Sequence, residues 1–396
     1  MGATFFVRFG FGLTISIFAA YLLGHSVPTT SEGVGTVGFI SSLAPIGEFA
    51  TVILSGAAAD RYGRFHVLIV GMGASAVLLA IVSFTRDPLA LGGLNLLFGV
   101  ASGAILAASL AVVGDQAHLD ERGYQMGRFD AVNLLGWVLG FASGFAIEGS
   151  LPALDLAWTF RAGALALVGG LAFALYSGRH HTEVGRAGAF AWNRIRSAVA
   201  RRDVLLVTLP WLVIYLLLGT LLVFLGTAAT SAGLPISTIA LLIGGGGLVL
   251  LLTQPTFGRL ADRFGRMRLM IVGTFGFLGI LFGAGLLTAF GARPEALAVV
   301  GVSAPAALAY GPAALAALTD LSREYTRATT MAIYSLTISL GMLLGILGST
   351  QLFSRFGNDG LYLFFTVVGI ALTILTVLRY QDVRAVRVIP PPKGPP

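Results

Sequence analysis

The sequence predicts an all-α integral membrane protein whose twelve transmembrane helices form two pseudo-symmetric six-helix bundles. The first observation is composition, since hydrophobic residues make up 56% of the 396 residues and charged residues only 11%. The second is a series of apolar blocks, each of the length that crosses a hydrocarbon core of about 30 Å. The third is a repeat, because the charged segment GAAADRYGRFH at 56–66 returns as GRLADRFGRMR at 258–268. Whole hydropathy blocks that recur in order indicate two similar halves.

Twelve blocks follow one another along the chain, and we number them spans 1 to 12. The first six cover 3–23, 37–57, 67–84, 89–113, 126–149 and 156–176. The second six cover 204–227, 237–257, 269–290, 296–319, 328–353 and 361–379. The predicted domains are therefore an N-terminal bundle, a linker, a C-terminal bundle and a tail, at 1–176, 177–203, 204–380 and 381–396. An even number of spans places both termini on one side of the membrane.

A second set of landmarks supports the doubling. The two charged segments lie 202 residues apart, and four further residues recur at an offset of 205. These are Asp115, Arg122, Gly136 and Gly140, which return as Asp320, Arg327, Gly341 and Gly345.

The basic residues predict the orientation, because cytoplasmic loops retain Lys and Arg. Of the 25 basic residues, 21 lie on the side of the termini, the two charged segments and the linker. The exceptions are Arg86, Arg161, Arg293 and Arg355. We therefore expect a multi-pass protein of an inner or plasma membrane with both termini in the cytoplasm. Scarce lysine beside abundant Ala, Gly and Arg is typical of a GC-rich genome and favours a prokaryotic source.

The linker at 177–203 is the longest connection and is rich in arginine. Trp192, Ile195 and Val199 share one face of a helix at this spacing. The pattern predicts an amphipathic helix on the cytoplasmic membrane surface, with a regulatory binding role as the alternative. The tail, VIPPPKGPP, is typical of disorder.

Composition excludes several classes of protein. The formal charge of +7 does not indicate a nucleic-acid partner, because the basic residues punctuate apolar blocks instead of clustering on a soluble domain. The chain has no cysteine, its single lysine is in the tail, and its five histidines fall at helix ends or in loops. Thiol chemistry, a retinal Schiff base and a clustered metal site are therefore not expected. We predict no cofactor, no metal and no enzymatic activity.

The motif G-x-x-x-D-R-x-G-R between spans 2 and 3, repeated between spans 8 and 9, resembles the major facilitator superfamily. The start of span 1, VRFGFGLTISIFAAYL, and the segment QPTFGRLADRFGR also resemble the drug/proton antiporter branch of that family. The resemblance implies the major facilitator fold, alternating access, secondary active transport and a monomeric protein. The partners it implies are a small-molecule substrate, protons and the surrounding lipid bilayer.

The resemblance also implies a gate at the two motifs. In the family, the motif aspartate docks against helix 11, and the arginines after it form a charge relay to the end of helix 4. Glycines at the motif positions permit tight turning, and a carboxylate suits a helix N-terminus. The alternative is that these charges only satisfy positive-inside topology. The gating residues predicted here are Gly56, Asp60, Arg61, Gly63, Arg64 and Asp115, with Gly258, Asp262, Arg263, Gly265, Arg266 and Asp320 as the second set.

Two acidic residues inside the spans are candidates for proton coupling, because intramembrane ionisable groups are costly and so tend to be functional. Glu48 lies twelve residues before Asp60, about 18 Å along a helix and near the middle of the bilayer. Asp130 lies near the cytoplasmic end of span 5. The alternatives are a hydrogen-bonded structural acid for Glu48 and a simple ion pair for Asp130.

The family often carries an arginine in helix 4, four residues before a glycine, and here that register holds Asn95 before Gly99. The usual arginine partner for proton transfer is therefore predicted to be missing. Arg8 in span 1 and Arg161 in span 6 are within reach of an interface by snorkelling, and we interpret both as anchors.

The resemblance implies a central substrate cavity lined mainly by helices 1, 4, 7 and 10, and in this sequence that lining is apolar and aromatic. Such a lining favours hydrophobic or amphipathic solutes, including cations, over sugars or organic phosphates. Glycines in spans 5 and 11 either pack helices closely or form the antiporter motif of helix 5, although Trp137 stands where that motif has proline. We predict proton-coupled efflux, with a nutrient symporter or facilitator and a transport-dead receptor as alternatives. The cavity residues are Tyr21, Asn95, Asn133, Trp211, Tyr215 and Tyr310.

Overall fold

A computed structural model describes residues 1–25, 31–116, 122–150, 156–178, 202–231, 245, 247–248, 251–290, 293–321 and 327–383. The predicted linker at 177–203, apart from 177–178 and 202–203, and the predicted tail at 381–396, apart from 381–383, lie outside this part of the chain. The described residues form twelve helices. They are α1 Gly2–His25, α2 Ser31–Tyr62, α3 Arg64–Val82, α4 Pro88–Gln116, α5 Arg122–Ser150, α6 Ala157–Gly178, α7 Arg202–Ser231, α8 Gln254–Phe264, α9 Arg266–Phe290, α10 Pro294–Leu308, α11 Tyr310–Leu321 and α12 Arg327–Val383.

Most of the predicted spans are present as helices. Within the described residues, nine helices are long and apolar enough to cross a membrane, and they correspond to spans 1 to 6 and 9 to 11. The shorter apolar helices Val207–Thr220 and Leu363–Leu372 fall in spans 7 and 12. Much of span 8 lies outside the described residues. The all-α membrane fold is therefore confirmed.

The two charged segments are not open loops but single-residue breaks between helices. α2 continues to Tyr62, α3 begins at Arg64, and Gly63 between them has φ 103°. Gly265 breaks α8 from α9 in the same way with φ 95°. Among the described residues, these two glycines alone have positive φ. Glycine adopts that backbone conformation readily, whereas other residues are strained in it, which accounts for its place in both copies.

The helices of spans 10, 11 and 12 are interrupted at other places than the sequence predicts. Span 10 is divided into α10 and α11 at Ala309, between Pro305 and Pro312. Spans 11 and 12 instead form one helical run of 57 residues, which would be about 85 Å long if straight. The run folds back, because a Cβ added to Gly348 would lie 2.9 Å from the ring of Phe364. The two limbs of α12 therefore lie side by side.

The packing shows the pseudo-symmetry of the halves. α1 packs against α5 and α6 in the N-terminal half, and α7 packs against α12 in the C-terminal half. The halves meet along two seams, one between α2 and α12 and the other between α5 and α8. Each seam joins the second helix of one half to the fifth span of the other, so the seams are themselves equivalent.

Glycines bring helices into backbone contact at equivalent places in the two halves. A Cβ on Gly136 of α5 would lie 2.6 Å from the carbonyl oxygen of Phe5 in α1. A Cβ on Gly341 of α12 would lie 2.5 Å from the carbonyl oxygen of Leu212 in α7. The glycine stripes of spans 5 and 11 are therefore close-packing surfaces. Whether the stripe on α5 also sets the direction of transport stays a prediction.

Candidate functional site

The first inter-half contact is built around Asp60 near the end of α2. Its buried carboxylate accepts hydrogen bonds from the backbone N–H and the hydroxyl of Thr329, at 2.8 and 2.7 Å. Thr329 lies in the first turn of α12, where unpaired N–H groups and the helix dipole favour an anion. Arg64 lies 3.4 Å from Asp60 and also pairs with Asp115 at the end of α4. We call these residues the N-terminal gate.

The second copy of the motif makes the reciprocal contact. Asp262 of α8 accepts a hydrogen bond of 3.0 Å from the backbone N–H of Tyr124, in the first turn of α5. Arg266 lies 3.6 Å from Asp262 and 3.0 Å from Asp320. We call this set the C-terminal gate. Together the gates tie the halves to each other at the end that the basic residues assign to the cytoplasm.

The structure does not bring every predicted gating residue into these networks. Arg61 and Arg263 are exposed, and each guanidinium lies over the next ring in the chain, that of Tyr62 at 5.0 Å and that of Phe264 at 5.3 Å. Among the described residues, Arg64 and Arg266 make the ion pairs of the two motifs, and Arg61 and Arg263 do not join them. Gly56 and Gly258 are buried within α2 and α8.

Glu48 lies deeper in the same seam as Asp60. Its Oε1 accepts a hydrogen bond of 2.5 Å from the hydroxyl of Ser335 on α12, and Ser102 on α4 approaches Oε2 at 3.5 Å. The side chain thus contacts both halves. A carboxyl at such a junction can exchange a proton and change the contact that it makes.

Arg8 is not an interface anchor, and that interpretation is wrong. It is only 6% exposed, and its Nε donates a hydrogen bond of 2.7 Å to Oδ1 of Asn133 on α5. Its guanidinium carbon lies 5.5 Å from the centre of the Trp137 ring. The interior therefore holds an arginine, supplied by α1 and not by the position of Asn95 in span 4.

The position of Arg8 is equivalent to that of Tyr215. A Cβ on Gly136 would lie 2.7 Å from the Cβ of Arg8, and a Cβ on Gly341 would lie 2.9 Å from the Cβ of Tyr215. The family resemblance implies Tyr215 as a residue of the substrate cavity. Gly136 and Gly341 recur at the offset of 205, and this repeat is the signal that gives Arg8 a position equivalent to that of Tyr215.

Arg161 behaves as the anchor prediction requires. Its Nε donates a hydrogen bond of 3.3 Å to the hydroxyl of Ser83, and its guanidinium lies 4.4 Å from the ring centre of Trp158. These contacts are at the ends of α3 and α6, where an amphipathic side chain suits the interface.

Asp130 is buried on α5 and, among the described residues, makes neither an ion pair nor a hydrogen bond. A Cβ added to Gly311 of α11 would lie 2.6 Å from Asp130 Oδ2. Only a glycine therefore leaves room for the carboxylate there. Asp130 lies three residues before Asn133 on α5, so it is on the same helix face as the residue that binds Arg8.

The C-terminal half contributes aromatic rings to this region. The hydroxyls of Tyr215 and Tyr334 lie 2.8 Å apart, and the rings of Trp211 and Tyr334 are 4.1 Å apart between centres. Sequence reasoning missed Tyr334, which carries no charge and lies in an apolar span. The hydroxyls of two other predicted cavity residues donate to backbone carbonyls, Tyr21 to that of Thr85 and Tyr310 to that of Val207.

A cavity of about 190 Å³ lies among α1, α2, α3, α4, α6 and α12. Its lining is mainly apolar and includes Phe98 and Met342, with Ser41 and Asn95 among its few polar residues. The amide of Asn95 donates a hydrogen bond of 2.9 Å to the carbonyl oxygen of Ile40. The cavity therefore offers more apolar surface than free hydrogen-bonding groups.

Two pseudo-symmetric helical halves, reciprocal charged contacts at one end and buried ionisable groups between the helices are typical of membrane carriers that alternate access to a central site. The chain belongs to the Major Facilitator Superfamily, whose family model matches residues 1–236 and 211–395. This membership indicates a multi-pass membrane transporter of a small molecule rather than an enzyme.

Individual relatives are more distant. The chain is 24% identical over 280 residues to the multi-drug resistance efflux pump PmrA homolog of Lactococcus lactis subsp. lactis (strain IL1403), covering 68% of this chain and 67% of that protein. The human organic anion transporter MFSD10 (TETRAN) is similar in structure, with TM-score 0.76, 17% identity and coverage of 95% and 97% of the two chains. The proton:xylose symporter XylE has TM-score 0.73, 18% identity and coverage of 96% and 94%. Both structures share the fold at these low identities.

Proposed function

We propose that the protein exports hydrophobic or amphipathic small molecules in exchange for protons, working as a monomer in a prokaryotic plasma membrane with cytoplasmic termini. The observation that carries this proposal is the place of Glu48. It is a titratable group at the junction of the two halves, in the seam that Asp60 closes at one end.

The gates supply the conformational step. Opening the cytoplasmic end separates Asp60 from Thr329 and Asp262 from Tyr124, so each gate must exchange its inter-half hydrogen bonds for water. These contacts stabilise the form that is closed to the cytoplasm. Solute and proton binding then shift the population between forms by binding one of them more tightly.

Glu48 supplies the coupling step. An ionised carboxylate in a dry seam costs free energy, whereas a protonated carboxyl can donate as well as accept a hydrogen bond. Protonation therefore favours the packed seam around Ser335, and deprotonation favours a hydrated cavity. A solute that occupies the cavity while Glu48 is ionised is exchanged for a proton when the halves rock.

The apolar cavity and the aromatic rings of the C-terminal half suit an apolar solute. The 24% identity to the efflux pump from Lactococcus lactis supports export. The second candidate is proton symport of a small nutrient, since the proton:xylose symporter XylE shares the fold. The scarcity of free polar groups in the cavity favours the first candidate. A transport-dead receptor is the third, and Glu48 would then be dispensable for the ligand response.

The test uses proteoliposomes that hold a pH-sensitive dye and receive a panel of lipophilic cations, neutral drugs, sugars and amino acids. We expect a hydrophobic compound to evoke proton movement opposite to its own, and Glu48→Gln to abolish it, because glutamine cannot carry the proton. Glu295→Gln is the matched control, since Glu295 is an exposed acid in the first turn of α10.

Other outcomes contradict the proposal in different ways. Proton and solute movement in the same direction would establish symport. Solute equilibration without proton flux in both wild type and Glu48→Gln would establish a facilitator. Solute binding that survives Glu48→Gln without any transport would establish a receptor.

A further inference from the structure

A second cavity, of about 300 Å³, lies inside the N-terminal half, at the end that the basic residues assign to the cytoplasm. It is enclosed by the starts of α1, α3 and α5 and by the ends of α4 and α6. It shares no lining residue with the cavity beside Phe98. Thr4 in this cavity and Thr14 in the other are ten residues apart on α1, which is about 15 Å along a helix. We call this separate space the cytoplasmic cavity.

Three polar side chains that line the cytoplasmic cavity make no hydrogen bond to any other described residue. They are Thr4, Gln125 and Ser177, which come from three different helices. Thr4 is only 7% exposed. By contrast, the hydroxyl of Ser109 donates a hydrogen bond of 3.0 Å to the carbonyl oxygen of Leu106 in its own helix. Buried polar groups usually have partners, so three groups without one that converge on a cavity favour a bound ligand.

The lining also indicates the chemistry of that ligand. None of its side chains is charged, and Phe65, Leu68 and Phe173 supply an apolar surface. Burial lowers the pKa of the α-amino group of Met1, which also lines the cavity, so that group too is shifted toward its uncharged form. A charged ligand would be without a counter-ion here, which is costly. Hydroxyls and amides both donate and accept hydrogen bonds, so the lining suits an uncharged molecule with an apolar part and a head that does both.

The cytoplasmic cavity adjoins both gates through residues next to each other in the chain. Phe65 follows Arg64 of the N-terminal gate, and Gln125 follows Tyr124, whose backbone N–H is bonded to Asp262. Opening of the cytoplasmic end removes Asp262 from the first turn of α5, where N–H groups have no partner within the helix. The wall that Gln125 forms is therefore best ordered while the gates are closed. A ligand held by this wall binds the closed form more tightly.

We propose that the cytoplasmic cavity is a regulatory site for an uncharged amphipathic molecule, which stabilises the form closed to the cytoplasm when it binds. The molecule is not the transported solute, because the site lies within one half and rocking of the halves does not carry its contents across the membrane. Such regulation depends neither on the direction of transport nor on proton coupling.

The experiment uses the full-length protein in lipid nanodiscs and measures binding by equilibrium dialysis, with empty nanodiscs to correct for partitioning into lipid. The probes are phenylbutanamide, phenylbutanoate and phenylbutanamidinium, which have the same shape but are neutral, anionic and cationic. We expect the neutral amide to bind at least about tenfold more tightly than either ion, because neither charge has a partner in the cavity.

Substitutions locate the amide. Thr4→Val keeps the shape of the side chain but removes its hydroxyl, so we expect it to weaken amide binding about fivefold to tenfold. Ala174→Phe fills the cavity from α6 and should abolish binding there. Leu165→Phe is the matched control, since Leu165 is on the same helix but is 71% exposed and does not line the cavity.

Hydrogen exchange of the backbone measures the effect on the gates, because it detects rare local opening. Thr329 belongs to the other half and does not line the cytoplasmic cavity, yet its N–H is bonded to Asp60. We expect saturating amide to slow exchange in the first turn of α12 about fivefold or more in wild type and to leave it unchanged in Ala174→Phe.

Melting of each variant shows whether it is folded, and Thr4→Val gives the same test of the site if Ala174→Phe is unstable. Equal binding of the three probes, or tighter binding of an ion, would overturn the assigned ligand class. Amide binding that the folded variants leave unchanged would overturn the site. Slower exchange in the helices around the cavity with no change in the first turn of α12 would overturn the effect on the gates. The proposed export would stand in each case, since the proton flux tests it separately.

Discussion

The N-terminal and C-terminal gates have the same residues in the same order but differ in their burial. The side chains of Asp60, Arg64 and Asp115 are 3%, 6% and 13% exposed, whereas their counterparts in the C-terminal gate are 17% to 26% exposed. Asp60 also accepts two hydrogen bonds from α12, whereas Asp262 accepts one from α5. Charge pairs are stronger away from water, so a repeated sequence need not have repeated energetics.

The largest expected effect comes from Asp60→Asn compared with Asp262→Asn. Asparagine keeps the shape and one acceptor but removes the charge that faces Arg64, and breaking a buried pair costs about 3 to 5 kcal/mol. The matching change at the more exposed Asp262 should cost about 1 kcal/mol. We expect Asp60→Asn to open the cytoplasmic end in most molecules and Asp262→Asn to open it in a small fraction.

The chain has no cysteine, so spin labels can be placed at two introduced cysteines without background. Tyr62 and Phe264 are exposed at the ends of α2 and α8, one in each half, and the distance between labels there reports opening. Arg263→Gln is the control, since this exposed arginine makes no ion pair in the gate as described. Equal opening in the two asparagine variants would show that burial does not distinguish the gates.

The helix breaks extend the comparison to Gly63→Ala and Gly265→Ala. Both glycines have φ near 100°, and placing another residue there costs about 1 to 3 kcal/mol. A Cβ on Gly265 would meet no atom within 4 Å, so its substitution tests strain alone. Gly63 is buried whereas Gly265 is exposed, so a side chain at Gly63 has less room to relax, and we expect the larger loss of melting temperature there. A larger loss at Gly265 would contradict the assignment of the N-terminal gate as the tighter one.

The acids of the two seams also differ. Ser335 is the residue of span 11 that corresponds to Asp130 of span 5 at the offset of 205, and Leu250 corresponds to Glu48 at the offset of 202. The seam between α2 and α12 thus has its acid, Glu48, on α2. The seam between α5 and α8 has its acid, Asp130, on α5. Glu48 is held by hydroxyls from both halves, whereas Asp130 is held by none among the described residues. We therefore expect Asp130 to be the more easily displaced acid.

The fold and the two glycine helix breaks were predictable because the signals that define them are local or repeated. Apolar length identifies a span, and the repeated motif identifies Gly63 and Gly265 by their spacing alone. Arg8 was not predictable in this way, because its depth depends on Asn133 and Gly136 from another helix. The helical run of α12 that joins spans 11 and 12 was also missed, because its two limbs are held together by contacts such as that of Gly348 with Phe364, and these are distant in sequence.

The smallest expected effect comes from Gly311→Ala, which leaves every charge in place. A Cβ there would lie 2.6 Å from Asp130 Oδ2, so the carboxylate must move, and with no hydrogen bond to hold it we expect it to move without unfolding α11. Gly301→Ala is the matched control on α10, because its Cβ would meet no atom within 4 Å. We expect Gly311→Ala to lower solute-evoked proton flux about tenfold, which corresponds to about 1.4 kcal/mol, and Gly301→Ala to leave it unchanged. A normal flux in Gly311→Ala would show that the position of Asp130 does not affect coupling, and Glu48 would then be the acid on which proton exchange depends.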